Sequence, residues 1–397
     1  MTSTHLPAPA LSIAERRLRT LQRTGLAQKR KIAEKPPTFV FYGILVVVTM
    51  LTLLGLVMVF SSSSVTLVKD GSSAWYFFQK QLMWAFFGLV TGVGMYRMPY
   101  YIWRGLVNIS LAVAFGLNLL VFVPFFGKEV NGARAWVGWG FIRFQPSEFL
   151  KLAIVLYCAD LLAKRHRRVE FAKDTLIPVA VIIGGASLMC LAQKDIGSAT
   201  IFGGILVLMC FIAGLPKRHL AYVCGVVAAG ALFVIATSTT ARARFTSFLD
   251  LEGTKGYRGY QVYQSLLSIA NGGPTGVGIG SGTGKWGYVP LSHSDFIFAI
   301  IAEELGLVGT VLVLGGFIAL VYLGVQTALG ARDMYGALLA GGVTAWFGVQ
   351  AIVNIGGVTG SLPMTGLTLP FISYGGSSLM VSMAAAGLLL NVARNMK

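Results

Sequence analysis

The stretch HSDFIFAIIAEELG, residues 293–306, sets one carboxylate, Asp295, ahead of an apolar run and then two more, Glu303 and Glu304, inside it. The run continues to about residue 323, long enough to cross the hydrocarbon core of a bilayer as a helix. Ionisable side chains at such depth are costly, face protein or water, and mark functional positions. At helical rise the two glutamates lie about 12 Å beyond Asp295. A turn of about 100° per residue returns Glu303 close to the Asp295 face and sends Glu304 nearly opposite. The pattern predicts a helix that walls a polar cavity, with Asp295 at its outer mouth and the glutamates deeper, shaping it. A plainer reading makes Asp295 the N-cap of this helix, answering free N–H groups and the dipole.

The rest of the chain agrees with a membrane bundle. Of its 397 residues 55% are hydrophobic and 12% charged, and the mean hydropathy of +0.72 lies outside the range of soluble domains. Apolar runs at 39–60, 77–96, 102–123, 148–163, 175–192, 198–215, 219–237, 296–323, 335–356 and 375–393 predict ten transmembrane helices. The expected fold is an all-α polytopic membrane protein with a single ten-helix domain over 39–393. Nothing at the amino end reads as a cleavable signal: residues 1–38 are polar and basic, and the run from Phe39 is long enough to stay as the first helix.

The formal net charge of +17 does not point to nucleic acid, because its carriers sit beside the spans. Arg16, Arg17, Arg19, Arg23, Lys29, Arg30, Lys31 and Lys35 crowd the amino tail, and Lys164, Arg165, Arg167, Arg168 and Lys173 crowd one short loop. The positive-inside rule places both clusters in the cytoplasm, and ten spans then make both termini cytoplasmic, the 1–38 tail and a short 394–397 end alike. Leu11, Ala14, Leu18, Leu21 and Gly25 recur at helical spacing, so part of the tail reads either as a basic amphipathic helix on anionic membrane lipid or as a solvated arm. Cys158, Cys190, Cys210 and Cys224 fall one to a span and read as packing residues.

The outer connections are 61–76, 124–147, a long extracytoplasmic loop over 238–295 between helices 7 and 8, and 357–374. The long loop predicts an interfacial helix around Tyr260–Ala270, followed by NGGPTGVGIGSGTGKWGYVP, too rich in glycine for a regular element. Trp286 and Tyr288 suit the interfacial belt, so the loop is expected to rest in order on the bundle. GVGIGSGTGK is not a phosphate loop, which would need glycine at Ile279 and Ser or Thr at Trp286; a dinucleotide turn would need a preceding strand.

Other polar groups cluster at outer ends of spans. Glu148 and Lys151, three apart in FQPSEFLK after Pro146, share a helix face and can pair, as a structural salt bridge or a substrate contact. QKDIGSA, 193–199, puts Gln193, Lys194 and Asp195 between two spans, where Asp195 either caps the next helix or takes part in chemistry. Arg134 and Arg143 offer guanidinium forks suited to phosphate. The four histidines at 5, 166, 219 and 293 are scattered, so no metal site is legible, and adjacency to Asp295 does not make His293 part of a triad. The inventory is a candidate base, Asp295, with candidate anion binders Arg134, Arg143, Lys151 and Lys194 and a flank open to lipid. It suits a lipid-linked, phosphate-bearing substrate that undergoes glycosyl transfer, or no chemistry at all.

Four stretches in order, NGARAWVGWGFIRFQPSEFLK (131–151), QKDIGSA, HSDFIFAIIAEELG and GSLPMTGLTLPFISYGGSS (360–378), closely resemble the SEDS family of shape, elongation, division and sporulation proteins, and the likeness runs from the first span to the last. TGLTLPFISYGGSS, together with KWGYVP, is more similar to the division members than to the elongation members. The resemblance implies a peptidoglycan glycosyltransferase that polymerises lipid II, the undecaprenyl-pyrophosphate-linked disaccharide peptide, into β-1,4-linked glycan at the outer face of the bacterial plasma membrane. It implies a class B penicillin-binding protein as transpeptidase partner, other divisome membrane proteins nearby, and a place at the division septum.

By the same resemblance Asp295 is the catalytic aspartate, acting as general base. Arg134, Gln145, Glu148, Lys151, Gln193, Asp195, His293 and Glu303 are the implied substrate-binding positions. No tightly bound cofactor and no metal ligand set is expected; a divalent cation stands beside Arg134 and Lys151 as a candidate to balance the pyrophosphate leaving group. Two positions depart from the family pattern: Lys194, where the family reads Gln-Pro-Asp, and Leu291, where it reads Pro-Glu-x-His-Thr-Asp. The rivals are a lipid II flippase, an elongation-type polymerase, and a divisome scaffold with no active site. Motifs gathered at outer ends of spans favour an enzyme over a transporter.

Overall fold

The computed structural model describes residues 38–396 apart from 70, 131, 140, 141, 169 and 170; the amino tail, with its expected amphipathic helix, lies outside the described residues. Phe39–Lys397 forms one compact unit. Among the described residues the helices are α1 Phe39–Lys69, α2 Tyr76–Arg97, α3 Tyr100–Leu119, α4 Pro146–Lys164, α5 Leu176–Ala192, α6 Ile196–Ile212 and α7 Lys217–Thr237. Three shorter ones follow, α8 Thr239–Leu249, α9 Leu251–Thr254 and α10 Tyr260–Gly272, and then α11 Ile297–Gly330, α12 Met334–Val358 and α13 Gly376–Arg394. A helix therefore stands on each of the ten apolar runs. Six of them, α1, α3 with the turn after it, α7, α11, α12 and α13, are long and apolar enough to cross a membrane, while α5 and α6 are apolar but shorter.

α12 and α13 run through the middle of the bundle and are mostly buried, whereas α7 lies at the rim. α11 packs on α12 and α1, α4 on α3 and α12, α5 on α6, and α2 along α13. The α2–α13 contact is backbone to backbone: a Cβ at Gly387 would collide with the Gly92 carbonyl, and one at Gly92 would lie 2.8 Å from the Met383 carbonyl. Small residues at such a seam let helices approach and gain dispersion contacts where lipid offers no hydrophobic drive. Cys158, Cys190 and Cys210 are buried among the helices, but Cys224, on the peripheral α7, is exposed.

The structure corrects three boundaries. α1 does not end near residue 60; it continues through Ser61–Ser64 to Lys69. The serines permit this because their hydroxyls bond back to helix carbonyls, Ser63 Oγ to Val59 O at 2.7 Å and Ser64 Oγ to Ser61 O at 3.2 Å. The all-α expectation also fails locally. Residues 127–144 form an antiparallel meander, β1 Gly127–Val130, β2 Ala133–Trp139 and β3 Ile142–Phe144, in the order β1-β2-β3. Its signal was alternation in ARAWV, where Ala135 and Val137 are buried and their neighbours are not. Finally, the long outer connection holds α8 and α9 as well as the expected helix, now Tyr260–Gly272. Ser238 caps α8 and Asp250 caps α9, each through a side-chain oxygen.

Candidate active site at the outer ends of the helices

Asp295 lies between the glycine-rich stretch and α11. The N-cap of α11 is Phe296, with no side-chain cap, so Asp295 does not do the capping its position allowed. Its side chain is half-buried. Burial pushes its pKa up to about 6, against the opposing pull of the Arg244 charge and a hydrogen bond from Ser294.

Three elements converge on it. Asn354 of α12 donates through Nδ2 to the Asp295 carbonyl at 2.9 Å and to the Leu367 carbonyl at 2.6 Å. From the segment before α13, Ser373 Oγ donates to the Ser294 carbonyl at 2.7 Å, and the Tyr374 N–H donates to the His293 carbonyl at 2.9 Å. Arg244 of α8 donates through Nη1 to the Thr365 carbonyl at 2.6 Å. Gly366 turns there with φ +75°, and a Cβ on it would lie 3.5 Å from both Arg244 Nη2 and Asp295 Oδ2. Carboxylate and guanidinium thus face each other across a glycine. Burial lowers the Arg244 pKa, and Asp295 and Asp195 both act to raise it again, so the charges of two of the motifs bear on this arginine.

Asp195 does cap α6, its Oδ1 accepting from the Ser198 N–H at 2.9 Å. Its other oxygen accepts from Gln145 Nε2 at 2.8 Å and Ser147 Oγ at 3.1 Å. Gln193 is buried; its carbonyl accepts from the Arg134 N–H at 3.1 Å, and its Nε2 donates to the Asn118 carbonyl at 3.1 Å. Glu148 and Lys151 form the expected pair at 2.9 Å, both sealed from solvent. Lys151 also donates to Gln350 Oε1 at 3.0 Å, and Gln350 donates onward to the Thr368 carbonyl at 2.8 Å. Since Ser377 Oγ accepts from the Gln145 N–H at 3.1 Å, the motifs at 145–151 and 193–199 are both tied to the segment that holds Asp295. Lys151 itself is answered inside the protein.

Arg134 is half-buried and Arg143 exposed, and neither guanidinium has a hydrogen-bond or ion-pair partner among the described residues. His293 is a stacking group. Its ring lies 4.6 Å from that of Phe77 with planes 18° apart, and 5.6 Å from that of Tyr374. Burial lowers its pKa to about 4, which keeps it neutral.

The two glutamates of α11 do not border an open cavity; they grip the glycine-rich loop. Glu303 Oε1 accepts from the Thr283 N–H and hydroxyl, both at 2.9 Å, and from Asn271 Nδ2 at 3.1 Å, while Oε2 accepts from the Gly284 N–H at 3.0 Å. Glu304 pairs with Lys285 at 2.6 Å and accepts from Ser61 Oγ of α1 at 2.6 Å. Just beyond them α11 breaks at Gly306, φ +62° and ψ −149°, and the loop moves in: Val277 and Gly278 donate their N–H groups to the carbonyls of Glu303 and Glu304, each at 3.0 Å. A Cβ at Gly276 would collide with the Glu304 carbonyl. Glycine is thus required at this point for close approach, as expected of the loop.

A family model described as a cell cycle protein, that of FtsW, RodA and SpoVE, matches residues 42–397. The chain belongs to this family. It is 36% identical over 352 residues to stage V sporulation protein E of Bacillus subtilis, covering 88% of this chain and 96% of that protein. To the probable peptidoglycan glycosyltransferase FtsW of Geobacter metallireducens it is 38% identical over 354 residues, covering 89% and 94%. Its backbone matches a chain from a peptidoglycan synthase complex that coordinates polymerization and crosslinking with TM-score 0.72, at 30% identity, covering 89% of this chain and 97% of that one. The match to the rod shape determining protein RodA of Thermus thermophilus has TM-score 0.66 at 28% identity over the same shares. The SEDS resemblance of the four motifs therefore holds across nearly the whole of a multi-pass membrane protein.

The two positions at which the sequence departs from the pattern expected by resemblance both fall on left-handed backbone, Lys194 at φ +62° and Leu291 at φ +56°. Proline cannot adopt the first angle, so the Lys194 turn as it stands here would not accept it. The sequence reading missed Arg244, Asn354, Gln350 and Lys285. Asn354 and Gln350 had a signal, a lone amide in an apolar span, which requires a partner. Lys285 had another, a cation set among glycines ahead of two intramembrane acids. Arg244 had none, because α8 reads as loop.

Proposed function

We propose that this chain is a division-type peptidoglycan glycosyltransferase that polymerises lipid II at the outer membrane face, with Asp295 as general base. The observation that carries the reading is the setting of Asp295: a half-buried carboxylate with its pKa raised to about 6, left free by the helix it precedes and facing Arg244. A base is most effective when its pKa lies near the working pH. In the reaction Asp295 takes the proton of the 4-hydroxyl of the acceptor N-acetylglucosamine as that oxygen attacks the anomeric carbon of the donor N-acetylmuramic acid. The α bond to undecaprenyl pyrophosphate breaks, its electron pair leaves with the pyrophosphate, and a β-1,4 bond forms with inversion.

The leaving group requires positive charge, for which Arg134 and Arg143 are candidates, neither guanidinium having a partner among the described residues; Lys151 is already held by Glu148. A divalent cation remains an alternative counter-charge, although among the described residues no group of three or more His, Cys, Asp or Glu is placed to hold one. The same reading has ten crossings, both termini cytoplasmic, Gln145, Gln193, Asp195 and His293 shaping the substrate site, and a class B penicillin-binding protein as partner at the septum. Relatives named FtsW and stage V sporulation protein E support the division assignment, and the solved relative in a synthase complex supports the partnership.

The test is polymer formation from labelled lipid II by the full chain with its penicillin-binding protein, wild type beside Asp295→Asn. Glycan strands from wild type alone are the expected result. Equal polymer from both would remove Asp295 from the chemistry. No polymer from either folded complex, with lipid II moved across vesicles, would replace the enzyme by a flippase.

A further inference from the structure

Beside Asp295 the fold leaves a cavity of about 10 Å3, bordered by Asp295, Asn354, Thr365 and Gly366 among apolar side chains. The Asn354 amide is oriented without ambiguity, since its Nδ2 donates to two backbone carbonyls, those of Asp295 and Leu367. Its Oδ1 is therefore an acceptor, and it is buried without a donor on a residue that is only 4% exposed. Thr365 Oγ1 is also buried with no partner, although the carbonyl of the same residue is bonded by Arg244. Gly366 is also at the border, and a Cβ on it would lie 3.5 Å from Asp295 Oδ2.

A buried water needs roughly 10–15 Å3 and two to four polar partners. This cavity supplies both. A magnesium or calcium ion would demand six or more oxygen ligands; one carboxylate, one amide and one hydroxyl do not provide them, and a cavity of about 10 Å3 has no room for the waters that would complete the shell.

We propose that this cavity binds a single structural water, which donates its two protons to Asn354 Oδ1 and the Asp295 carboxylate and accepts from the Thr365 hydroxyl. Asn354 and Thr365 are then positioning residues for the base. Asn354 fixes Asp295 twice, directly at its carbonyl and through the water at its carboxylate, so the lone pair offered to the acceptor hydroxyl has one direction. This positioning role rests on the reading of Asp295 as general base; the water site does not.

Two measurements test the proposal separately. In a high-resolution structure of the full chain, a water is expected at about 2.7–3.2 Å from both Asn354 Oδ1 and Thr365 Oγ1. It should be lost in Thr365→Val, which keeps the shape and removes the hydroxyl. An empty cavity in wild type overturns the site, as does a peak at about 2.0–2.6 Å, which would be a cation. In the lipid II assay Thr365→Val is expected to lower kcat about tenfold with KM unchanged, and Thr365→Ser to restore it. Wild-type kcat in Thr365→Val overturns the positioning role. If wild type itself makes no polymer, the general-base reading and the positioning role fall together, while the density still decides the water.

Discussion

Lys285 Nζ lies 2.6 Å from Glu304 Oε1, and both side chains are sealed from solvent. The pair joins the glycine-rich loop to α11, and Ser61 draws in α1 by donating to Glu304 Oε2 at 2.6 Å. Further along α1, Thr66 Oγ1 donates to the Lys285 carbonyl at 3.2 Å and Lys69 Nζ to the Trp286 carbonyl at 2.8 Å. The segment leading to Asp295 is therefore held from two sides.

Removing one member of this pair leaves the other charge buried and unanswered, at a cost of about 3–5 kcal/mol. Lys285→Met and Glu304→Gln are each expected to lower the unfolding temperature in detergent sharply. The double variant Lys285→Met with Glu304→Met should recover most of the loss, since a buried ion pair and apolar residues of similar volume are often close in stability. A double variant no better than its parents would mean that the charges, and not their mutual neutralisation, hold the loop.

Glu303 has a different task, gathering N–H and hydroxyl donors from the loop. Glu303→Gln keeps the shape but turns an amide NH2 toward donors, losing roughly 1.5–3 kcal/mol of charge-assisted bonding. The expected effect is local: faster amide exchange at Thr283 and Gly284 with the rest of the bundle unchanged. Unchanged exchange there would show that the backbone bonds to α11 suffice.

Activity should follow the ionisation of Asp295. A base must be deprotonated, and with its pKa at about 6 the rate is expected to rise with pH through that value and level off above it. Asp295→Asn should cost at least about a hundredfold in kcat, the usual scale of general-base loss. A rate flat from pH 5 to 8 would assign the base elsewhere.

Arg244 faces Asp295 from α8, and the charge of Asp195 also bears on it. Its positive charge favours the ionised carboxylate, so Arg244→Gln removes that support and raises the Asp295 pKa further. The acid limb of the rate profile should move toward higher pH, while Arg244→Lys leaves it closer to wild type. His293, neutral on Phe77, does not contribute a competing charge. A limb that stays in place would show that Arg244 does not tune Asp295 and would leave it its bond to the Thr365 carbonyl.

That a helix stands on each apolar run was legible from the length of the runs, but only six of these helices are long and apolar enough to cross a membrane. The pairing of Glu148 with Lys151 was legible because three residues on a helix fix a shared face. What escaped was set by contacts distant along the chain. Neither glutamate of α11 shows its partner in the sequence: Ser61, far away along the chain, meets Lys285 and Glu304 together. The serines of α1 read as the end of a helix by polarity, yet the hydroxyls of Ser63 and Ser64 close on the helix itself. Strands β1–β3 were hidden by shortness, and Arg244 by lying in a helix too brief for its periodicity to stand out.

The seam between α2 and α13 bears on how the molecule is made. Among the described residues α2 lies along α13, nearly three hundred residues later in the sequence, and a Cβ at Gly387 would collide with the Gly92 carbonyl. During synthesis α2 therefore has α1 beside it but not the helix it packs on most closely, and this seam closes only after α13 has been made.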